Sequence, residues 1–567
     1  MNLGFLNREV ASFHAAALIM GGALLASKLL GLFRDRLLAA EFGAGDTLDV
    51  YYAAFQIPDL LYTIFLVGAA SAAVLPVFLS YERRSQDEAE RFIGNLLTIF
   101  SAGALVFVIA AIIAAPWLVK LVVPGFSAAK LLSVVHLTRL MMMGTVFLGA
   151  ASILSSVLQA RRYFFVFALP PIAYNLGIIT GIVVLVPWLG VSGLAAGVVL
   201  GGILQVVIQL PAFAGMGFRI RPAFSIREPG FIAVVRTSLP RVLALTMSQI
   251  TIVVLAATAS LFASGSISVF KLAANLLYVP VGLFGVSYAL AMFPKLSASS
   301  LAGEGKAFRE HVVIGVRNIL FWTVPAAAIA IVLRAHLVRV ILGSGAFNWE
   351  DTRLVAAVLA VLAVAIVSES LLPLILRAFY ALGNTRSPLM WDILGSAATI
   401  AFAGIFAVWF SWHPEALAFL ARMLRIGDLA APKILAVAFG FLLGSLLNVG
   451  LLFFALQRVV RERFGTSFDF EIAAFFNMAG AALLAGCAAY AALLPFPSLV
   501  STNTFIGIFL QGLVSGIVGI LVYAGVLWLE GNLEIRALAE SFRQRLISPK
   551  KTPAVYEAEK LDGESGK

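Results

Sequence analysis

The side chains of this sequence best placed to do chemistry are ionisable groups set inside long apolar runs. Lys28, Arg34, Asp35 and Arg36 fall within one run, among Gly21, Gly22 and Gly31, residues that weaken a helix and let it bend. Lys28 and Asp35 are seven positions apart, about two helical turns, and so share a face. Charges in an apolar segment are costly and mark a functional site by default. The embedded pair Arg34 and Asp35 reads as lining a water-filled cavity, whereas Arg36 and Glu41 read as neutralising or snorkelling groups at a helix end. Asp49 and Asp59 follow near the start of the next apolar run. Further on, Lys271 is an isolated cation with Asn275 one turn later on the same face. Glu369 lies between Ser368 and Ser370 inside another run. A lone acid there binds a coupling cation or proton, or pairs with a lysine or arginine; both readings stay open. Asp392 and Asn448 repeat that case more weakly.

These groups suit binding and movement of charge rather than covalent catalysis. The five histidines, at 14, 136, 311, 336 and 413, are scattered and show no metal spacing. The single cysteine, Cys487, cannot form an internal disulfide or a zinc site. Gly303-Glu-Gly-Lys306 lacks the spacing and hydroxyl of a phosphate-cradling loop, and no nucleophile elbow occurs. No enzyme activity and no bound cofactor are therefore expected.

The elements that position these residues are set by composition. Of 567 residues, 61% are hydrophobic and 12% charged, against about 25% charged in an ordinary soluble domain. So little charge cannot cover a water-soluble globule of this size, which leaves a polytopic membrane protein. The net charge of +11 is then explained by basic loops and anionic lipid surfaces, not by nucleic acid. Apolar windows predict 14 spans, at 13–40, 50–80, 92–114, 133–158, 163–187, 191–216, 232–262, 266–297, 312–342, 352–382, 386–411, 432–459, 471–495 and 504–530. They are apolar on all sides, which fits helices and not barrel strands. The first run is long and lacks a cleavage site, so it reads as a span and not a signal peptide. With the N-terminus inside, loops and tails on the inner side carry 25 lysines and arginines and outer loops carry 8. Both termini are expected in the cytoplasm. Residues 412–431 form an outer loop with some helical character. The tail start, Leu533 to Leu546, has apolar residues at helical spacing suited to the membrane surface. From Pro549 the tail is expected to be disordered.

The chain also echoes itself. Pro76 and Pro294 end similar segments 218 positions apart, and Leu158-Gln-Ala-Arg-Arg-Tyr to Pro170 recurs as Leu376-Arg-Ala-Phe-Tyr to Pro388 at the same offset. This predicts two six-helix lobes, 1–220 and 221–460, two added helices over 461–530 and a cytoplasmic tail over 531–567. Parallel repeats of this kind are a transporter architecture with the substrate site between the lobes.

Ser27-Lys-Leu-Leu-Gly-Leu-Phe-Arg-Asp-Arg-Leu-Leu-Ala-Ala-Glu-Phe-Gly-Ala-Gly45 resembles the opening signature of the MurJ/MviN family of bacterial lipid II flippases. The likeness continues through Asp49-Val-Tyr-Tyr-Ala-Ala-Phe-Gln-Ile-Pro-Asp-Leu-Leu61, Gly265-Ser-Ile-Ser268 and Arg377-Ala-Phe-Tyr-Ala-Leu-Gly-Asn-Thr-Arg-Ser-Pro388, over roughly residues 15–460. It implies an all-α polytopic fold of the MOP exporter type in the inner membrane, with about 14 helices in two lobes related by a pseudo-twofold axis and two extra C-terminal helices. It implies alternating access that carries a polyprenyl-pyrophosphate-linked peptidoglycan precursor to the outer leaflet. A Na+ or H+ gradient or the membrane potential would reset the lobes. Membrane lipids and the cell-wall synthesis machinery are the implied partners, with no nucleic acid. With the resemblance the substrate-binding set is Lys28, Arg34, Asp35, Asp49, Lys271 and Asn275, while Glu369 and Asp392 are candidates for ion coupling from their own placement in apolar runs. Two positions depart from the family pattern: Tyr62 and Asn275 stand where arginines are expected, with Lys271 placed to replace the second. Another MOP-type exporter of lipid-linked oligosaccharide, or a non-transporting scaffold, is the alternative reading.

Overall fold

The computed structural model describes residues 13–64, 74–468, 472–496 and 504–547. The described segments include eleven helices long and apolar enough to cross a membrane. They are α3 (Gln86–Val122), α4 (Ala128–Ala160), α5 (Pro170–Leu189), α6 (Ser192–Gly215), α8 (Ser266–Leu301), α9 (Gly305–Val332), α10 (Trp349–Ala381), α11 (Arg386–Trp412), α12 (Pro432–Phe464), α13 (Ile472–Leu493) and α14 (Phe505–Leu529). The other three predicted spans are helical too, as α1 (Phe13–Phe42), α2 (Asp46–Tyr62) and α7 (Pro229–Ser260). Part of the second span, 65–73, lies outside the described residues, and helix resumes at Val74–Glu82.

Polar caps fix several helix starts. Ser85 accepts from the Glu88 amide at 3.1 Å ahead of α3, and Asn348 and Asp351 form a reciprocal capping box on α10. Small residues let helices approach: a side chain on Gly177 of α5 would come within 2.3 Å of the Gly201 backbone of α6.

Three apolar clusters show how the lobes meet. One takes Leu38, Tyr51 and Met141 from the first lobe together with Leu272, Val355 and Val437 from the second. It lies towards the far end, where α1 turns into α2 and α7 into α8. Towards the other end the core divides. Phe78, Phe92 and Val157 form a first-lobe cluster, and Phe308, Phe379 and Leu456 a second-lobe cluster. The lobes are thus fused at the far end, and at the near end their clusters are distinct except that Val234 of α7 packs into the first-lobe one. A fourth cluster packs α13 and α14 on α9 through Phe321, Met478 and Tyr523. Exposed apolar residues such as Trp117, Leu121, Leu483 and Leu521 clothe the outside, as a lipid-facing surface requires.

The outer-loop stretch 412–431 holds a short helix, Pro414–Met423. The tail start forms α15 (Leu533–Ile547), which docks on the protein: Glu534 pairs with Arg317 of α9 at 2.7 Å, and Ile535 packs onto the α13–α14 cluster. The partly buried ion pair and Ile535 hold α15 to the bundle. The stretch from Pro549 lies outside the described residues.

Candidate functional site

Helix α1 carries Arg34 and Asp35 to the seam between the lobes. Neighbours in a helix do not face each other, but the long arginine side chain folds back. Its Nε and Nη2 donate to Asp35 Oδ1 at 3.0 and 2.7 Å. Nη1 donates to Asn175 Oδ1 of α5 at 3.1 Å. The other carboxylate oxygen of Asp35 accepts from Asn275 Nδ2 of α8 at 2.8 Å. Asn175 in turn donates to the Ser27 and Pro171 carbonyls at 3.3 and 3.0 Å. One network thus ties α1 and α5 of the first lobe to α8 of the second. Arg34 has five N–H donors and spends three here, leaving one on each terminal nitrogen for a ligand.

Arg34 faces a cavity of about 220 Å³ that is also lined by Tyr51, Tyr52, Gln56, Asp59, Lys271 and Asn275. Arg34, Lys271 and Asn275 line this cavity, Asp35 is hydrogen-bonded to Arg34 and Asn275, and Asn175, Asp59 and the tyrosines join them. Arg34 is matched by Asp35, and Lys271 shares the cavity with Asp59. Asn275 serves to hold Asp35. Lys28 stands apart, exposed two turns down α1 and against Gly282 of α8.

Asp49 has a different setting from the cavity residues. It is 2% exposed, and its Oδ2 accepts from the Gly265 amide at 2.7 Å while Oδ1 accepts from the Ser268 amide at 2.7 Å and hydroxyl at 2.6 Å. Gly265 and Ser268 sit at the N-cap and third residue of α8, so an acid from α2 caps a helix of the other lobe. Three donors hold the carboxylate in this helix-capping position. Gly265 is obligatory here: its φ is +86°, and a Cβ would lie 2.0 Å from the Ala44 carbonyl oxygen. The same end is closed by Ser264 on Asp46, by the Ala346 amide on the Ala40 carbonyl at 2.7 Å, and by Arg36 on the Val340 carbonyl at 2.6 Å. Arg36 therefore ends on the last carbonyls of the Arg334–Leu342 helix rather than on Glu41.

Glu369 of α10 accepts from Ser445 Oγ of α12 at 2.6 Å and from Tyr278 of α8 at 3.3 Å, and Ser445 also meets Ser368 at 2.8 Å. Among the ion pairs of the described residues none includes Glu369 or Asp392. Asp392 accepts from Asn448 at 3.0 Å. No group of three or more metal-binding side chains occurs among the described residues. A second cavity, of about 430 Å³ and almost wholly apolar, runs from Ile535 and Leu538 of α15 past Phe284 and Trp322 to Leu337 and Ile341.

Solved structures with this architecture include one titled a lipid II flippase MurJ in an inward closed conformation, with a TM-score of 0.71, 24% identity and coverage of 92% of this chain and all of that one. An inward-facing multidrug resistance MATE family transporter of the MOP superfamily follows at TM-score 0.61 and 15% identity, covering 78% of this chain and 96% of its own. These likenesses establish the MOP exporter fold. Among curated relatives, the probable lipid II flippase MurJ of Rhizobium tropici is 29% identical over 393 residues, 68% of this chain and 74% of that protein. The family profile described as lipid II flippase MurJ matches residues 38–424, over two thirds of the sequence, and the chain belongs to that family.

Proposed function

We propose that the protein moves lipid II from the cytoplasmic to the outer leaflet of the bacterial inner membrane by alternating access, with no covalent step. Both termini lie in the cytoplasm in this reading, as the 25 to 8 split of basic residues favours. The fused far end then faces outward and the divided near end faces the cytoplasm. The observation that carries the proposal is Arg34, held in a fork by Asp35 at the seam and still offering two N–H groups to a cavity between the lobes. A pyrophosphate fits those donors, with Lys271 alongside. The apolar cavity beneath α15 suits the polyprenyl chain. Transport turns on the seal at the far end, which must part to release the headgroup. The gene is expected to restore growth to cells depleted of their own lipid II flippase. Failure of a well-expressed, membrane-inserted protein to do so would overturn the reading.

Coupling to an ion gradient is placed on Glu369, with Asp392 in support. Hydroxyl partners stabilise its carboxylate without neutralising it, as a site that takes up and releases a proton or a cation requires. Replacing Glu369 with glutamine should leave downhill exchange of lipid II intact while removing its response to an imposed proton or sodium gradient. Retention of that response in proteoliposomes would exclude the assignment.

A further inference from the structure

We infer that Tyr52 and Gln56 form a subsite that reads the sugar of the headgroup, so that cations hold the pyrophosphate and this wall selects what is attached to it. The inference rests on the flippase reading and refines it. Tyr52 and Gln56 are one turn apart on α2 and share a face. Each is 5% exposed, and both line the cavity that holds Arg34 and Lys271. Two of their polar atoms, Tyr52 Oη and Gln56 Oε1, are buried without a hydrogen-bond partner among the described residues. The orientation of the Gln56 amide is fixed, because its Nε2 donates to the Tyr52 carbonyl at 3.2 Å. Its carbonyl oxygen is therefore the free end.

Buried polar atoms are seldom left unpaired, and each orphan costs free energy until a ligand or water supplies its partner. Gln56 Oε1 only accepts, while Tyr52 Oη can donate. Sugar hydroxyls both donate and accept, so they meet both needs, donating to Gln56 and accepting from Tyr52. A phosphate oxygen cannot donate to Gln56, so the pair does not belong to the pyrophosphate. The rest of the lining agrees with a carbohydrate. Tyr51, Phe55 and Tyr174 present aromatic surface to the C–H faces of a pyranose ring, and Gln249 and Asn275 add neutral amides.

The test compares two ligands that share the lipid and the pyrophosphate: lipid II, and polyprenyl pyrophosphate with no sugar. Binding to the detergent-solubilised full chain is measured for both. Wild type should bind lipid II at least about tenfold more tightly. Tyr52→Phe, and Tyr52→Phe combined with Gln56→Met, should weaken lipid II binding about 5- to 100-fold. Neither variant should alter binding of the sugar-free lipid, whereas Arg34→Ala weakens both. Equal loss for both ligands would assign the pair a structural role or a bound water, and no loss for either would remove it from recognition; each result overturns the inference. A wild-type protein that binds neither ligand would instead refute the flippase reading.

Discussion

Replacing Arg34 with alanine is expected to reduce lipid II flipping at least about 100-fold. The variant loses the two N–H groups aimed at the pyrophosphate, each charged hydrogen bond contributing about 1.5–3 kcal/mol. It also leaves Asp35, 3% exposed, without its cation. A buried acid stripped of its partner is destabilising by about 3–5 kcal/mol, so loss of fold must be separated from loss of binding. Arg34→Lys and the double variant Arg34→Ala with Asp35→Asn make that separation. Lysine keeps the charge but not the fork and should retain partial activity. The double variant removes the orphaned charge, so it should recover protein yield and thermal stability without recovering transport. Appearance of labelled lipid II on the outer face of proteoliposomes is the measurement, and wild-type rates in either alanine background would overturn the role of Arg34.

The second large effect is expected at Asp49. Asp49→Ala removes the acceptor for two backbone amides and a hydroxyl of the other lobe. Loss of a helix cap costs about 0.5–2 kcal/mol and a charged hydrogen bond somewhat more. A combined penalty of about 3 kcal/mol falls on the sealed state alone and moves the balance between sealed and open states by roughly 100-fold. The cavity should therefore become reachable from outside. In a background with Cys487→Ser, a cysteine placed at Asn275 should react with a membrane-impermeant reagent added outside only when Asp49 is alanine. Equal protection in both backgrounds would show that the cap does not hold the seal. Asp49→Asn keeps one acceptor and should fall between the two.

Much of this architecture is legible in the chain because lipid imposes a coarse rule. Apolar runs of span length must become helices, so predicted limits such as 352–382 and 386–411 fall within a few residues of Trp349–Ala381 and Arg386–Trp412. The rule also flags charges that break a run, and Arg34 and Lys271 share one cavity, with Asp35 paired to Arg34 behind it. What the chain does not display is pairing across distance. Asn175 looks like an ordinary polar residue in α5, yet it holds Arg34 from 141 positions away. Asp49 reads as one more embedded acid, and its partners are mostly backbone amides, which carry no residue-specific signal. Asp59 was visible as a charge near the second run; only the fold puts it in the same cavity as Lys271 and so cancels a cation that the sequence leaves unopposed.

The contact between Asp49 and Ser268 also bears on ancestry. These residues lie 219 positions apart, one step from the 218-residue echo of the sequence, on the same turn of corresponding helices. In a molecule built from two copies of one unit, a residue at the axis between them confronts its own counterpart. Two carboxylates there would have repelled each other by several kcal/mol in a site closed to water. An acid on one side and a hydroxyl with free amides on the other resolves the conflict. The seam at this point rewarded divergence: once the copies were joined in one chain, they could acquire different residues where they touched, which two separate identical subunits cannot do.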